Sequence, residues 1–335
     1  LLPLGLGQSE QYGYYKKVTI WSSTFDSDIV EEISNYERLI NGNIDFSFLI
    51  LFLLPLLLII LTYNLNGLEK DLKFDNLIAI QTGNSKNWIL YRLIFYATLL
   101  LTTVNVLIIS VVFINNILIA DAVDLILLSN LYIFLFIIPF YFIIVYSSSS
   151  TSMAFKMISI WLMLCVLIPG SVHQYVSLKY PPNYMTDFLD ANRKDTYEVF
   201  KLPKEELHHL LMGIYLDLDT TKQGQDSLIN RTIVRNTMSA IVNQININAI
   251  NKIEQQNDSK NDLIIGSYWF NPVSYFQNKW NTLTSTDYNS YKDYRKDIQY
   301  AVDNKLELLT FESWDERKVN SKIYDKYLDK LKSTR

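Results

Sequence analysis

Residues 46–63 read FSFLILFLLPLLLIILTY, and no charged side chain occurs anywhere between Phe46 and Leu68. At about 1.5 Å of rise per residue, roughly 20 such residues cross the hydrocarbon core of a bilayer. The pattern returns over residues 93–120, 125–155 and 157–178. These runs predict spans near 46–64, 90–114, 125–146 and 156–171. The apolar part of the fourth, MISIWLMLCVLIP, is the shortest. One buried helix in a large soluble core would look similar, but no water-soluble fold of 335 residues hides four in succession. The expected fold class is therefore an all-α polytopic membrane protein.

The overall composition conceals this division, because a net charge of -4 and 49% hydrophobic residues are ordinary for a soluble chain. Residues 1–45 and 172–335 are polar and can face water, and the second segment is long enough for a domain with a modest core. Its acidic and basic side chains balance and no basic cluster stands alone, so nucleic acid is not an expected partner. The single cysteine, Cys165, lies in an apolar run, so no intrachain disulfide staples the polar segment.

Orientation follows from the short connections. Lys70, Lys73, Lys86 and Arg92 lie between the first two spans and Lys156 follows the third, whereas the connection near 115–124 has Asp121 and Asp124 and no basic residue. Basic short loops stay in the cytoplasm. This predicts an extracytoplasmic segment at 1–45, a four-span region at 46–171 with a cytoplasmic elbow at 65–90, and a mainly α-helical extracytoplasmic domain at 172–335. The expected location is a bacterial cytoplasmic (inner) membrane.

Within the elbow, Asn64, Asn66 and Gly67 interrupt the apolar run. Leu68, Leu72, Leu77 and Ile80 then give a short surface helix an apolar side, with Glu69 among the residues facing water or headgroups. Gly83, Asn84 and Ser85 supply a turn, and Trp88 and Tyr91 are interfacial anchors. Such an element either sets topology or transmits motion from a cytoplasmic partner. Pro55 and Pro139 lie inside spans and remove backbone donors there. The centres of the spans hold no Asp, Glu or Arg, which argues against an ion-coupled pump.

In the polar region, helices are predicted over 204–216 and, from Ile229, Ile233, Ile241, Ile245 and Ile253, over 226–256. QQNDSKND at 255–262 reads as a loop. Asn271 before Pro272 marks a helix start and Asp287 caps the next helix. Tyr275, Phe276, Trp280, Tyr291 and Tyr294 form an aromatic set that either packs a core or offers a surface to an extracytoplasmic partner. His208 and His209 are adjacent near Glu205 and Glu206, but neighbours on a helix diverge and the spacing is not that of a metal pair. No catalytic or metal residue is assigned. The chain also has no G-x-x-x-x-G-K-[ST] phosphate loop, so any ATP chemistry would belong to another chain.

Taken in order, NIDFSFLILFLLPLLLIILTYNLNGLEKDLKFDNLIAIQTGNSKNWILYRL (43–93) and SSSSTSMAFKMISIWLMLCVLIPG (147–170) resemble the membrane permease subunits of ABC-2 type exporters. SYWFNPVSYFQNKWNTLTSTDYNSYKDYRKDIQ (267–299) resembles the late extracytoplasmic region of that family's DUF3526 branch. The likeness covers most of residues 44–305 and rests on the order of these segments rather than on one motif. It implies a six-span permease, with one span before residue 1 and one after residue 335.

The resemblance also implies a second permease copy or a related permease, membrane lipid around the bundle, and separate cytoplasmic P-loop ATPase subunits that hold ATP and Mg. The chain itself would be no enzyme. Leu68, Glu69, Leu72, Phe74, Leu77 and Ile80 would form the ATPase-coupling elbow, turning ATP hydrolysis into export or into mechanical work. The elbow departs from the family's E-x-x-x-G-T-L form, since Phe74 and Asp75 occupy that neighbourhood. That departure implies altered coupling or the less typical half of a heterodimer. The alternative is a non-transporting membrane scaffold or a component of a motility or secretion complex.

Overall fold

The computed structural model describes residues 4–5, 7, 45–67, 69, 72, 74–115, 119–147, 149–180, 194, 196–216, 231–314 and 318–332. All regular structure among them is helical. The apolar runs give α1 (Phe46–Thr62), α3 (Ser85–Asn115), α4 (Ile119–Tyr146) and α5 (Ser150–Lys179), with the short α2 (Asp75–Thr82) between the first two. The polar regions give α6 (Lys204–Ile214), α7 (Arg231–Gly266), α8 (Pro272–Leu283), α9 (Tyr288–Trp314) and α10 (Ser321–Lys332).

Three of these helices, in α3, α4 and α5, are long and apolar enough to cross a membrane, and α1 is apolar but shorter. The fourth expected span, 156–171, lies within a longer helix that starts before Lys156. These helices also expose apolar side chains as a membrane protein does. On α3, Leu93, Ala97, Leu100, Val104, Ile108 and Val112 form a buried stripe, while Phe95 is 63% and Phe113 79% exposed. A helix that is apolar all round needs an apolar medium on its outer side. Leu127, Leu131 and Phe155 repeat the pattern on α4 and α5.

The described residues fall into two compact units, one drawn from 4–7, 45–179 and 261–290 and the other from 180–260 and 291–332. In the first, α3 lies along α4, and α1 packs on α3, α4 and α5. The core holds Ile50, Leu54 and Leu58 of α1 with Phe136, Phe140 and Ile144 of α4. Lipid tails are as apolar as leucine, so close fit and hydrogen bonds hold such helices together. Two π-helical turns occur here, Leu49–Leu53 and Met163–Leu167, each two residues before a proline, Pro55 or Pro169. Pro55 lacks the amide that would reach the Leu51 carbonyl four residues back. Tyr132 of α4 donates its hydroxyl to that carbonyl at 2.6 Å. The Trp161 indole donates to the Phe52 carbonyl at 3.1 Å. Pro139, also flagged as a breaker, lies in α4 without a π turn among the described residues.

Helix α8 joins this same core. Asn271 caps it by accepting from the Ser274 amide, and Pro272 follows as expected. Its stripe of Val273, Phe276 and Trp280 is buried against both π turns and α4. Phe276 meets Tyr132 edge to face at 5.0 Å, and the Trp280 indole donates to the Leu4 carbonyl at 3.2 Å. Residues 261–290, which follow the boundary expected at residue 172, pack with the span helices. The cause is the stripe itself, which finds its apolar partner on α1, α4 and α5.

In the second unit, Leu211, Ala240 and Trp314 form one small core, and Val199, Leu207 and Ile241 another. His208 stacks on Trp314 at 5.7 Å. The loop expected at 255–262 is instead a continuation of α7, which has no proline, and no glycine before its last residue. Its polar side chains serve an ion-paired face: Glu254 meets Arg295 at 3.6 Å, and Asp258 meets Lys292 at 2.6 Å. Asn243 extends the ladder to Asp303 at 2.7 Å.

Trp280→Ala should remove a wholly buried ring and lower the unfolding free energy in detergent micelles by about 3–5 kcal/mol. Trp269→Ala, at a position 86% exposed, should change it by no more than about 0.5 kcal/mol. Equal melting temperatures for the two variants would contradict the packing of α8.

Candidate functional site

The elbow begins where α1 ends at Thr62, turns through Tyr63–Asn66, and reaches α2 after Phe74. Gly83 closes α2 at φ 67°, a left-handed conformation that glycine adopts without a Cβ penalty. Asn84 then accepts from the Lys86 amide at 3.0 Å and starts α3.

Arg92, two turns into α3, ties the elbow down. Its Nη1 donates to the Leu65 carbonyl and to Glu69 Oε1, each at 2.8 Å. Its guanidinium also lies 4.5 Å above the Trp88 ring. A partly exposed ion pair contributes only about 0.2–1 kcal/mol. Its effect here is positional, because one guanidinium nitrogen holds a carbonyl just past α1 and a carboxylate of the elbow against α3. Glu69, expected to face water or headgroups, is instead a half-buried member of this clamp.

A second fastening comes from α5. The Ser150 hydroxyl donates to Asn64 Oδ1 at 2.9 Å, and a Cβ on Gly67 would lie 2.7 Å from the Ser150 Cβ. Lys156 donates to the Ser147 hydroxyl at 3.1 Å, and the Lys86 ammonium lies 5.7 Å from the Tyr146 ring centre. The elbow, the start of α3, the end of α4 and the start of α5 thus share one end of the unit, and that end carries Lys86, Arg92 and Lys156.

On this frame Leu72, Phe74 and Leu77 are more than half exposed, and Ile80 is 83% exposed. These four belong to the expected coupling set; Leu68, the remaining apolar member, lies outside the described residues. Between α1 and α3, residues 75–82 form the one described helix longer than one turn, with Leu72 in a turn and Phe74 just before it. The result is an apolar outer surface carried by a short element fastened to three long helices.

The aromatic set differs in burial from member to member. Phe276, Trp280 and Tyr291 are buried, Tyr275 is exposed, and Tyr294 is half-buried. The first three of the sequence, Tyr275, Phe276 and Trp280, belong to one compact unit and Tyr291 and Tyr294 to the other. Tyr291 packs under the Arg295 guanidinium, 5.0 Å from its ring centre.

Two features escaped sequence reasoning. Arg92 counted only as a topology charge, although a lone arginine beside Trp88 at the start of an apolar run is the signal for an interfacial clamp. Tyr132 carried no signal by itself; the usable one was Pro55, which deprives a carbonyl four residues earlier of its donor. Among the described residues, no cluster of three or more His, Cys, Asp or Glu residues could hold a metal ion.

Compared with known proteins, the chain matches no family model, no curated protein and no solved structure.

Gly67→Ala should force Ser150 aside and cost about 1–3 kcal/mol in thermal unfolding of the micelle-solubilised chain. Adding Ser150→Gly should relieve the clash but forfeit the bond to Asn64, and so recover part of the loss. A double variant as unstable as the single one would show that this contact does not fasten the elbow.

Proposed function

We propose that this chain is the membrane permease subunit of an ABC-2 type exporter, coupling hydrolysis of ATP by separate cytoplasmic subunits to movement of a substrate across the membrane. The observation that carries the reading is the clamped elbow, whose exposed Leu72, Phe74, Leu77 and Ile80 project from an element tied to α1, α3 and α5. An apolar surface of that kind fits a groove on a cytoplasmic partner. Loose loops absorb a push, whereas a fastened one passes it on. The basic residues at this end support a cytoplasmic position for it.

In this reading the chain hydrolyses nothing itself; ATP and Mg reside on the partner. Closure of two ATPase subunits displaces the elbow, and Arg92 and Ser150 carry that displacement into α3, α1 and α5. The π turns before Pro55 and Pro169 are the places where α1 and α5 bend most readily, since backbone hydrogen bonding there already departs from the α pattern. A second permease, the same chain or a related one, completes the pathway, and the end of α5 lies outside the cell. The order of segments that resembles the DUF3526 branch supports the same assignment.

Purification of the tagged chain from its own host in mild detergent should bring with it a P-loop ATPase. Replacing Leu77 and Ile80 together by aspartate should reduce that co-purification about tenfold or more, the loss of roughly 1.4 kcal/mol or more of contact energy, while leaving the melting temperature unchanged. Recovery of the chain with no nucleotide-hydrolysing partner would abandon the exporter in favour of a membrane scaffold.

A further inference from the structure

Two concavities in the first unit meet at one residue. The first is an apolar groove of about 730 Å³ along α5, from Phe155 through Leu162 and Leu167 to Val172, with Phe270 at its edge. Its ends are 17 residues apart, which at the helical rise is about 26 Å, most of the roughly 30 Å hydrocarbon thickness. The second is a cleft of about 420 Å³, of mixed lining and richer in polar side chains than the groove, that starts at Pro169, Val172 and His173. Its walls are different in kind: tyrosines 268, 275 and 288, amides from Asn261, Gln277 and Asn278, and one side chain of each charge, Lys279 and Asp287.

Val172 lines both spaces. The turn Ser267–Phe270 divides its side chains between them, sending Tyr268 to the cleft and Phe270 to the groove. Between these two, Trp269 is 86% exposed. Indole rings in that setting sit at the headgroup level of a bilayer. An apolar track and a cleft of mixed lining that meet at Val172, beside an exposed tryptophan, have the layout of an amphiphile: tail along the helix, head beyond its end.

The cleft further narrows the class of head. One lysine and one aspartate in the lining balance in formal charge, so a multiply charged phosphate has little to hold it. Amide side chains and phenols offer paired donors and acceptors suited to hydroxyl groups, and tyrosine rings pack against the C–H face of a sugar. Burial raises the Tyr268 phenol above its ordinary value, so it stays a neutral hydroxyl that accepts from the Asn278 amide. Asp287 uses Oδ1 to cap α9 through Ser290, while its Oδ2 meets the Thr282 hydroxyl at 3.4 Å, long for such a bond. That oxygen keeps acceptor capacity on the cleft side.

We propose that the groove and cleft together form one binding site for a glycolipid, its acyl chain along Phe155–Val172 and its sugar between Tyr275, Gln277 and Asp287. The inference deepens the exporter reading by naming the class of cargo, and it rests on that reading only for the direction of movement, not for binding.

The test uses the full chain in nanodiscs of phosphatidylcholine containing a small fraction of monoglucosyl diacylglycerol with a photoreactive diazirine in its acyl chain. Illumination should label α5 within residues 155–172 and the neighbourhood of Phe270, and unlabelled monoglucosyl diacylglycerol should compete. Excess diacylglycerol or phosphatidylglycerol should not. Tyr275→Ala combined with Gln277→Ala, both exposed side chains, should lower labelling about tenfold with an unchanged melting temperature. Met163→Trp should lower it by filling the groove. Equal labelling by a phosphatidylcholine probe with the same chain would overturn the proposal in favour of ordinary boundary lipid, and full competition by free glucose would reduce the site to a soluble sugar cleft. No ATPase is present, so loss of labelling leaves the exporter reading intact, and absence of an ATPase partner leaves the labelling result intact.

Discussion

In hydrocarbon no water is at hand to meet a backbone carbonyl, and Pro55 takes away the amide that would have met the carbonyl of Leu51. The Tyr132 hydroxyl supplies the replacement, and much of the first unit is arranged around that bond. It fixes α4 against the π turn of α1, brings Cys165 of the second π turn within 3.8 Å, and presents the tyrosine ring edge for Phe276. Trp161 repeats the device one residue further along α1 by donating to Phe52. Apolar contact alone would let such helices slide, since lipid competes for every leucine. Directional bonds from α4 and α5 to successive carbonyls of α1 set the register.

The clamp at the elbow answers the same need at the other end of α1. Where the chain leaves hydrocarbon, its turn carbonyls again want donors, and Arg92 serves Leu65 while also holding Glu69. At these two levels, the π turn and Leu65, directional bonds hold α1 to α3, α4 and α5. In the proposed exporter, a displacement applied to Phe74 or Leu77 would reach Tyr132 through packed helices rather than through slack loop. That mechanical continuity gives the exporter reading its physical content.

How far the sequence disclosed this varies with the interaction. The long helices were legible because uncharged runs of such length admit few other readings, and the caps at Asn271 and Asp287 because Asn-Pro and an aspartate before a helical stripe are local chemistry. Residues 255–262 misled because polarity was taken for a break, although none of QQNDSKND forbids a helix and Glu254, Asp258, Lys292 and Arg295 pair across to α9. The aromatic residues misled differently. Periodicity shows that Val273, Phe276 and Trp280 share a face, but not which of several apolar surfaces receives it. The elbow was half legible: its exposed leucine and isoleucine follow from pattern, whereas the partner of Glu69 lies 23 residues away and left no mark in spacing.

The seating of α8 has a bearing on biosynthesis. The bond from Trp280 to Leu4 joins residues 276 apart, and Phe276 reaches a tyrosine laid down long before it. During translation the span helices must enter the bilayer with the face around Tyr132 still unoccupied, and they keep it so until residues 261–290 emerge. Closing contacts of such sequence separation is slow. A newly made chain therefore passes through an interval in which its interior is open to lipid or to an insertion chaperone, and a ribosome that stalls before Phe276 leaves behind a bundle with no keystone.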